Sequence, residues 1–249
     1  MSFIGPIRYY LNKHGFEALR PKAVLFDMDG VCYDSMPYHV VAWRKSMAHF
    51  GLEMNTDDAY ATEGARGIDT VRELMRRQKG VDISLEEAQT MYNLKSRLFH
   101  DMTPEPPVMP GIPELMAQIS ACGLEIGIVT GSGQRPLIAR LLRDFGQYLT
   151  RQHIVTAYDV ERGKPAPDPY LKGLNEMGGL QPWEAMVVEN APLGVQAGAA
   201  ARIFTIAVNT GPLPDKMLAD SGADIIFSKM TELSNDWSEL FRQLNTLHS

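Results

Sequence analysis

The run Asp27-Met28-Asp29-Gly30 follows directly on the apolar stretch KAVLF. A carboxylate in that position can attack phosphorus, and a second carboxyl two residues on can give or take the proton the reaction moves. Gly30 removes a side chain where the loop must turn. The same four residues also describe an ordinary surface turn, so the pair needs partners. Thr130 opens Thr-Gly-Ser-Gly-Gln, where its hydroxyl and the N–H groups of Gly131 and Ser132 suit an anionic oxygen at a helix start. A simple helix cap by Ser132 reads the same way. Lys164, in GKPAPDPY, can neutralise both phosphoryl oxygens and a nucleophilic carboxylate, or stand as a solvated charge. Glu189 and Asn190 close the apolar run AMVVEN, and hard oxygen donors there suit Mg²⁺, which takes few protein ligands. An Asx-type cap would use the same asparagine.

Strands and helix starts must bring these groups together. KAVLFD (22–27) reads as a buried strand running into a tight loop. LEIGIVT (124–130), HIVTA (153–157), AMVVEN (185–190), FTIAVN (204–209) and DIIFS (224–228) also read as strands. Helical segments follow them near 134–144, 168–177 and 193–200, then a short one and a last one. Repeated strand–helix units with apolar strands predict a parallel sheet covered on both faces, with the ligand beyond the carboxyl ends of the strands. Asp27, Asp29, Thr130, Lys164, Glu189 and Asn190 all fall at those ends.

After the first strand the period changes. Val40, Trp43, Met47 and Phe50 lie on one helical face, with Pro37 suited to a first turn. Val71, Leu74, Met75 and Gln78 outline a second helix. Leu85, Ala88, Met91, Lys95 and Leu98 outline a third, opened by the capping-box pair Ser84 and Glu87. Pro104, Pro106 and Pro107 close the region in a stiff extended segment. The expected fold is α/β, a doubly wound, Rossmann-like parallel-sheet core with an inserted α-helical cap domain. The core spans 1–35 and 106–249, with 1–20 as a helical extension through Phe3, Ile4, Ile7 and Leu11. The cap spans 36–105.

The chain has 249 residues, 45% hydrophobic and 22% charged, enough for a sizeable core. A formal charge of −6 gives no support to nucleic-acid or membrane-surface binding, yet leaves room for a local basic pocket that takes a small phosphate substrate. Cys32 and Cys122 are far apart and in no metal-binding spacing, so reduced thiols are the default. The N-terminal segment is interrupted by Arg8, Lys13 and His14, unlike a signal peptide, and no stretch approaches the roughly 20 apolar residues that span a bilayer. A soluble cytoplasmic protein, monomeric or weakly dimeric, is expected.

Taken in order, DMDGV (27–31), VTGSG (129–133), GKPAPDPY (163–170) and VVENAPLGVQAG (187–198) resemble the four motifs of the haloacid dehalogenase-like hydrolases. The resemblance is to the beta-phosphoglucomutase-like group with a helical cap, over about residues 21–230. It implies Asp27 as nucleophile, Asp29 as general acid/base, and Thr130 and Lys164 as phosphate ligands. It also implies Mg²⁺ held by Asp27, the Asp29 carbonyl and the fourth motif, Glu189 and Asn190. Asn190 stands where the family usually has Asp, which removes one negative charge.

The cap decides substrate. SMPYHVVAW (35–43) resembles the group's first cap helix, in which His39 faces the active site rather than solvent. In TEGARG (62–67), Glu63 replaces a lysine of the mutases, whose arginine lies near Gly67. Glu63 would repel a second phosphate, and Arg66 and Lys95 could restore some positive charge. EGARG, ENAPLG and FTIAVNTGPLP together are similar to an inorganic pyrophosphatase of the group, in which the cap glutamate reaches toward the metal. The expected activity is therefore Mg²⁺-dependent hydrolysis of a small phosphate substrate, pyrophosphate or a small monoester, with beta-phosphoglucomutase as the alternative. A second alternative is a non-catalytic phosphate-binding regulator, which the presence of both Asp27 and Asp29 argues against and Asn190 keeps open. A signalling receiver would be shorter and lack the insertion, and a hydrolytic dehalogenase does without Asp29.

Overall fold

The computed structural model describes residues 2–103, 105–132 and 135–246. Pro104, Gly133 and Gln134, which the sequence reading placed in the proline segment and the Thr130 turn, lie outside them. Helix α1 (Ile4–His14) precedes β1 (Ala23–Phe26), and four helices follow: α2 (Met36–His49), α3 (Thr56–Ala61), α4 (Gly67–Lys79) and α5 (Leu85–Met102). The chain then alternates through α6 (Ile112–Ala121), β2 (Glu125–Val129), α7 (Arg135–Phe145), β3 (Ile154–Val155), α8 (Asp168–Glu176) and β4 (Ala185–Glu189). It ends with α9 (Pro192–Ala200), β5 (Phe204–Val208), α10 (Asp215–Asp220), β6 (Ile225–Phe227) and α11 (Met230–Thr246).

The six strands pair in parallel in the order β3-β2-β1-β4-β5-β6. Every residue of β1, β4 and β5 is buried, which explains their unbroken apolar runs. Side chains alternate between faces: Val24 and Phe26 join the layer of α1, α6, α7 and α11, while Ala23 and Leu25 join that of α8 and α9. Phe26 registers with Ile128 of β2 and Val188 of β4, so Asp27, Thr130, Glu189 and Asn190 emerge from one edge. The strand order reverses beside β1, the switch point at which such sheets bind ligands.

Helices α2–α5 have an apolar cluster of their own, including Trp43, Met47, Leu74 and Met91, and we refer to them as the cap. Helix α1 is sealed onto the core by the buried Phe3, Ile7 and Tyr10, with Tyr10 edge-on to Phe204 at 5.2 Å between centroids. Burial of each such side chain contributes about 1.5–3 kcal/mol. One helix falls in the stretch up to about 105, which reads as helical throughout without outlining it, and another lacks a counterpart in the sequence reading. Helix α3 is six residues long, held by a reciprocal Asn55–Asp58 capping box. Helix α6 starts from Gly111 at φ 95°, directly after the proline-rich stretch that read as extended. No helix among the described residues is long and apolar enough to cross a membrane.

Candidate active site

Strand β1 delivers Asp27, whose backbone N–H donates to Val188 across the β1–β4 pair. Its carboxylate Oδ1 accepts from Lys164 Nζ at 2.6 Å, and the same ammonium donates to Glu189 Oε1 at 2.6 Å and the Val129 carbonyl at 2.8 Å. All three ammonium protons are thus committed inside the protein, so a phosphoryl contact requires an exchange of partner. Tyr170, on the first turns of α8, donates to the same Glu189 oxygen at 2.6 Å. Burial drives the Asp27 carboxyl well above its ordinary range; Lys164 opposes this, while Glu189 and Asp29 reinforce it. Burial also disfavours the Lys164 ammonium, but Asp27 and Glu189 outweigh it and raise its pKa.

Two carboxylates therefore share one lysine in an apolar setting. Asp27 Oδ2 and Asn190 Oδ1 are buried without a hydrogen-bond partner among the described residues. Each such orphan costs about 1–3 kcal/mol. Because Asn190 Oδ1 is unpaired, it does not serve as an Asx cap. Gly30 has φ 81°, and a Cβ there would run into the Asn190 amide, so this glycine lets the nucleophile loop approach β4. Two hard oxygens beside a negatively charged cluster fit a small hard cation. Among the described residues no three His, Cys, Asp or Glu gather as a metal cage.

Asp29 is turned toward the cap. Its Oδ1 accepts from Ser35 Oγ at 2.6 Å and lies 3.1 Å from His39 Nε2. His39 Nδ1 lies 2.6 Å from Lys95 Nζ, which stands over the rings of Trp43, Tyr92 and Phe99. An ammonium has only protons to give, so Nδ1 accepts and Nε2–H donates to Asp29. Burial pushes Asp29 upward, but His39, Ser35 and Lys95 more than offset it and the net shift is downward. Lys95 is lowered from 10.5 to about 8 by burial, against the pull of Glu63 and Asp29.

Asp29, His39, Glu63, Lys95, Gly131 and Ser132 line one chamber of about 20 Å³ between cap and core. Glu63 keeps part of its surface toward that chamber; burial raises its carboxyl, with His39 and Lys95 opposing and Asp29 reinforcing. The cap meets the core closely at two glycines: a Cβ on Gly131 would strike the backbone carbonyl of Gly64, and one on Gly163 would strike the side-chain stem of Arg66. Arg66 does not line the chamber. Its guanidinium is spent on Asp69 in a two-pronged pair, Nε–Oδ2 2.7 Å and Nη2–Oδ1 3.1 Å, because the i,i+3 spacing at the start of α4 favours it. Thr130 Oγ1 accepts from the Ser132 N–H at 3.0 Å, which leaves its own proton to donate.

Sequence reasoning did not single out Ser35, Tyr170 or Thr210, whose hydroxyl donates to the Gly30 carbonyl at 2.7 Å. Each lies within or beside a quoted motif, but a long-range hydroxyl bond has no spacing signature.

Comparison with known proteins agrees with this geometry. A profile of the haloacid dehalogenase-like hydrolases matches residues 21–202. Hexitol phosphatase A of Escherichia coli (strain K12) is 36% identical over 191 residues, covering 77% of this chain and 84% of that protein. Beta-phosphoglucomutase of Bacillus subtilis (strain 168) is 28% identical over 218 residues, covering 86% of this chain and 92% of that protein. A solved structure from Bacteroides vulgatus, provisionally described as a beta-phosphoglucomutase, superposes with a TM-score of 0.92 at 45% identity, covering 97% of this chain and 98% of that one. None of these names carries a pyrophosphatase, so that part of the expected resemblance lacks support among them. With the four motifs on one sheet edge beneath an inserted set of helices, the chain belongs to the haloacid dehalogenase-like hydrolases.

Proposed function

We propose that this chain is a Mg²⁺-dependent phosphohydrolase whose preferred substrate is small, with inorganic pyrophosphate first among the candidates. The observation that carries the reading is the narrow chamber of about 20 Å³ between cap and core, with Glu63 in its wall. That volume is little more than one water requires. The cap must part for any substrate, and a small one asks for the least room on reclosing. Glu63 also sets a negative charge where a second phosphate of a sugar bisphosphate would need a cation, and Arg66 is already engaged by Asp69.

In this reading an Asp27 carboxylate oxygen attacks phosphorus as the bond to the leaving oxygen breaks. Asp29, ionised where Ser35 and His39 hold it, takes up a proton from solvent before this step and gives it to that oxygen. Water then attacks the aspartyl phosphate, Asp29 takes a proton from it, and inorganic phosphate leaves. The Thr130 hydroxyl, whose oxygen already accepts from the Ser132 N–H, and the Gly131 N–H orient phosphoryl oxygens. Lys164 holds Asp27 and spares it repulsion from Glu189. Asp27, the Asp29 carbonyl, Asn190 and Glu189 would hold Mg²⁺, whose charge would offset that of the phosphoryl oxygens. His39 and Ser35 fix the direction of the Asp29 carboxyl. Free Cys32 and Cys122 suit a reducing compartment, and we place the enzyme in the cytoplasm as a monomer or weak dimer.

A second reading, hydrolysis or mutation of a sugar or polyol phosphate, is supported by the names of the relatives, a hexitol phosphatase and a beta-phosphoglucomutase. Phosphate release from pyrophosphate, hexitol phosphates and beta-glucose 1-phosphate, with Mg²⁺ and after its removal by chelation, separates the two. Turnover of beta-glucose 1-phosphate with bisphosphate activation and none of pyrophosphate would end the pyrophosphatase reading. Undiminished pyrophosphate hydrolysis in Glu63→Ala would remove the role given to Glu63.

A further inference from the structure

A second pocket of about 140 Å³ adjoins the catalytic chamber and is lined by Arg66, Gly67, Gln89, Tyr92, Gly131 and Tyr158, among others. Gly67, Tyr92 and Gly131 line both cavities, and Tyr92 is the one of the three with a side chain to stand between them. The outer pocket faces solvent, because Gln89 is exposed and Tyr158 is 79% exposed at its rim.

We propose that Tyr92 is the residue that limits the size of the leaving group, by walling the chamber off from this outer pocket. Three observations support it. A Cβ on Gly67 would collide with the Tyr92 ring, so the ring occupies the space a side chain at 67 would fill. The ring is braced, with the Trp43 centroid 6.0 Å away and the Lys95 ammonium 5.7 Å from its own centroid. The room beyond it is about seven times that of the chamber, and the guanidinium at its edge is neutralised by Asp69. Among its described lining residues the pocket has one cation, Arg66, already paired with Asp69, and with a tyrosine and a glutamine at its rim it fits a neutral hydroxylated chain such as a polyol better than a second phosphate. The inference rests on the small-substrate reading above and names the residue that enforces it.

The test compares kcat/KM for acetyl phosphate, a small phosphate, with that for sorbitol 6-phosphate, whose leaving group is a six-carbon polyol. Wild type, Tyr92→Ala and Tyr92→Phe are assayed with Mg²⁺. Tyr92→Ala is expected to raise the sorbitol 6-phosphate to acetyl phosphate ratio by at least about 10-fold, the scale on which pocket volume discriminates substrates. Tyr92→Phe keeps the wall and should hold the ratio within about twofold. A purely structural role for Tyr92 would lower both values together and leave their ratio unchanged; that result in folded Tyr92→Ala overturns the proposal. So does a wild-type enzyme that already takes both substrates equally well. Should Tyr92→Ala fail to fold, Tyr92→Val removes the ring with a smaller loss of packing and must move the ratio in the same direction; an unchanged ratio there is equally decisive. Pyrophosphate is assayed in parallel: its failure as a wild-type substrate removes the pyrophosphatase reading without touching the ratio.

Discussion

Replacing Lys95 by Met perturbs the buried chain from Lys95 through His39 to Asp29 and gives two signals of opposite direction. Lys95 is 3% exposed, and burial lowers it from 10.5 to about 8. The gap between those values corresponds to roughly 3 kcal/mol. Between pH 8 and 10.5 the unfolded chain retains a proton that the native protein has released, so stability rises with pH across that window. The cost of the buried ammonium is complete below pH 8 and absent above 10.5. Activity moves the other way, because the ammonium fixes the His39 tautomer that donates to Asp29. A hydrogen bond to a charged group contributes about 1.5–3 kcal/mol, which converts to a loss of roughly 10- to 150-fold in kcat for Lys95→Met at pH 7. The unbranched methionine keeps the packing against Trp43, Tyr92 and Phe99. Phosphate release and urea midpoints are measured for both proteins from pH 6 to 10. Wild-type kcat should fall above pH 8 while its stability gains on the variant, and Lys95→Met should lack the alkaline fall. An unchanged alkaline limb in the variant, or a stability difference flat in pH, would refute the reasoning.

Lys164→Met leaves Asp27 and Glu189 facing each other without their shared cation; it should cost about 3–5 kcal/mol in chemical denaturation and abolish turnover. Asn190→Leu removes one of the two unpartnered oxygens, and calorimetric titration should find Mg²⁺ affinity weaker by roughly 10- to 100-fold or more. Asp224 is raised from 3.8 to about 6 by burial, against its bond from the Thr205 N–H and the charge of Lys13. Its native pKa exceeds the unfolded value, so its ionisation destabilises the protein progressively from pH 4 to 6 and fully above. Asp224→Asn should therefore stabilise the fold by roughly 1–3 kcal/mol at pH 7.5 and leave it unchanged below pH 4, as read from denaturant midpoints.

The strands were the most legible part of the fold because they are buried on both faces and end abruptly in polar residues. AVLF followed by DMDG, and AMVVE followed by Asn190, announce both a strand and the edge it reaches. Helix α6 was hidden by the prolines ahead of it, since its start depends on a left-handed Gly111 that no periodicity reveals. At the site, residue types and strand ends foretold the convergence of Asp27, Thr130, Lys164 and Glu189. They could not foretell that Lys164 spends all its protons within the protein, or that Arg66 turns to Asp69 instead of the chamber. Those outcomes depend on side-chain direction and on competition between neighbouring acceptors. The Tyr170–Glu189 and Thr210–Gly30 bonds join separate segments of the fold, and a single sequence carries no record of such pairings.

Where the cap rests on the core, Gly131 faces the Gly64 carbonyl and Gly163 faces the Arg66 stem. At Gly131 the contact is made by peptide groups, so it is indifferent to most side-chain exchanges behind it yet intolerant of a β-carbon at that point, while at Gly163 it also depends on the Arg66 stem. Variation in substrate preference would then accumulate one layer back, at positions such as 63, 92 and 95, while the seam stays fixed. The fit between the two halves behaves as a shared template, and diversification within this architecture becomes a matter of refurnishing the room while its door frame is kept.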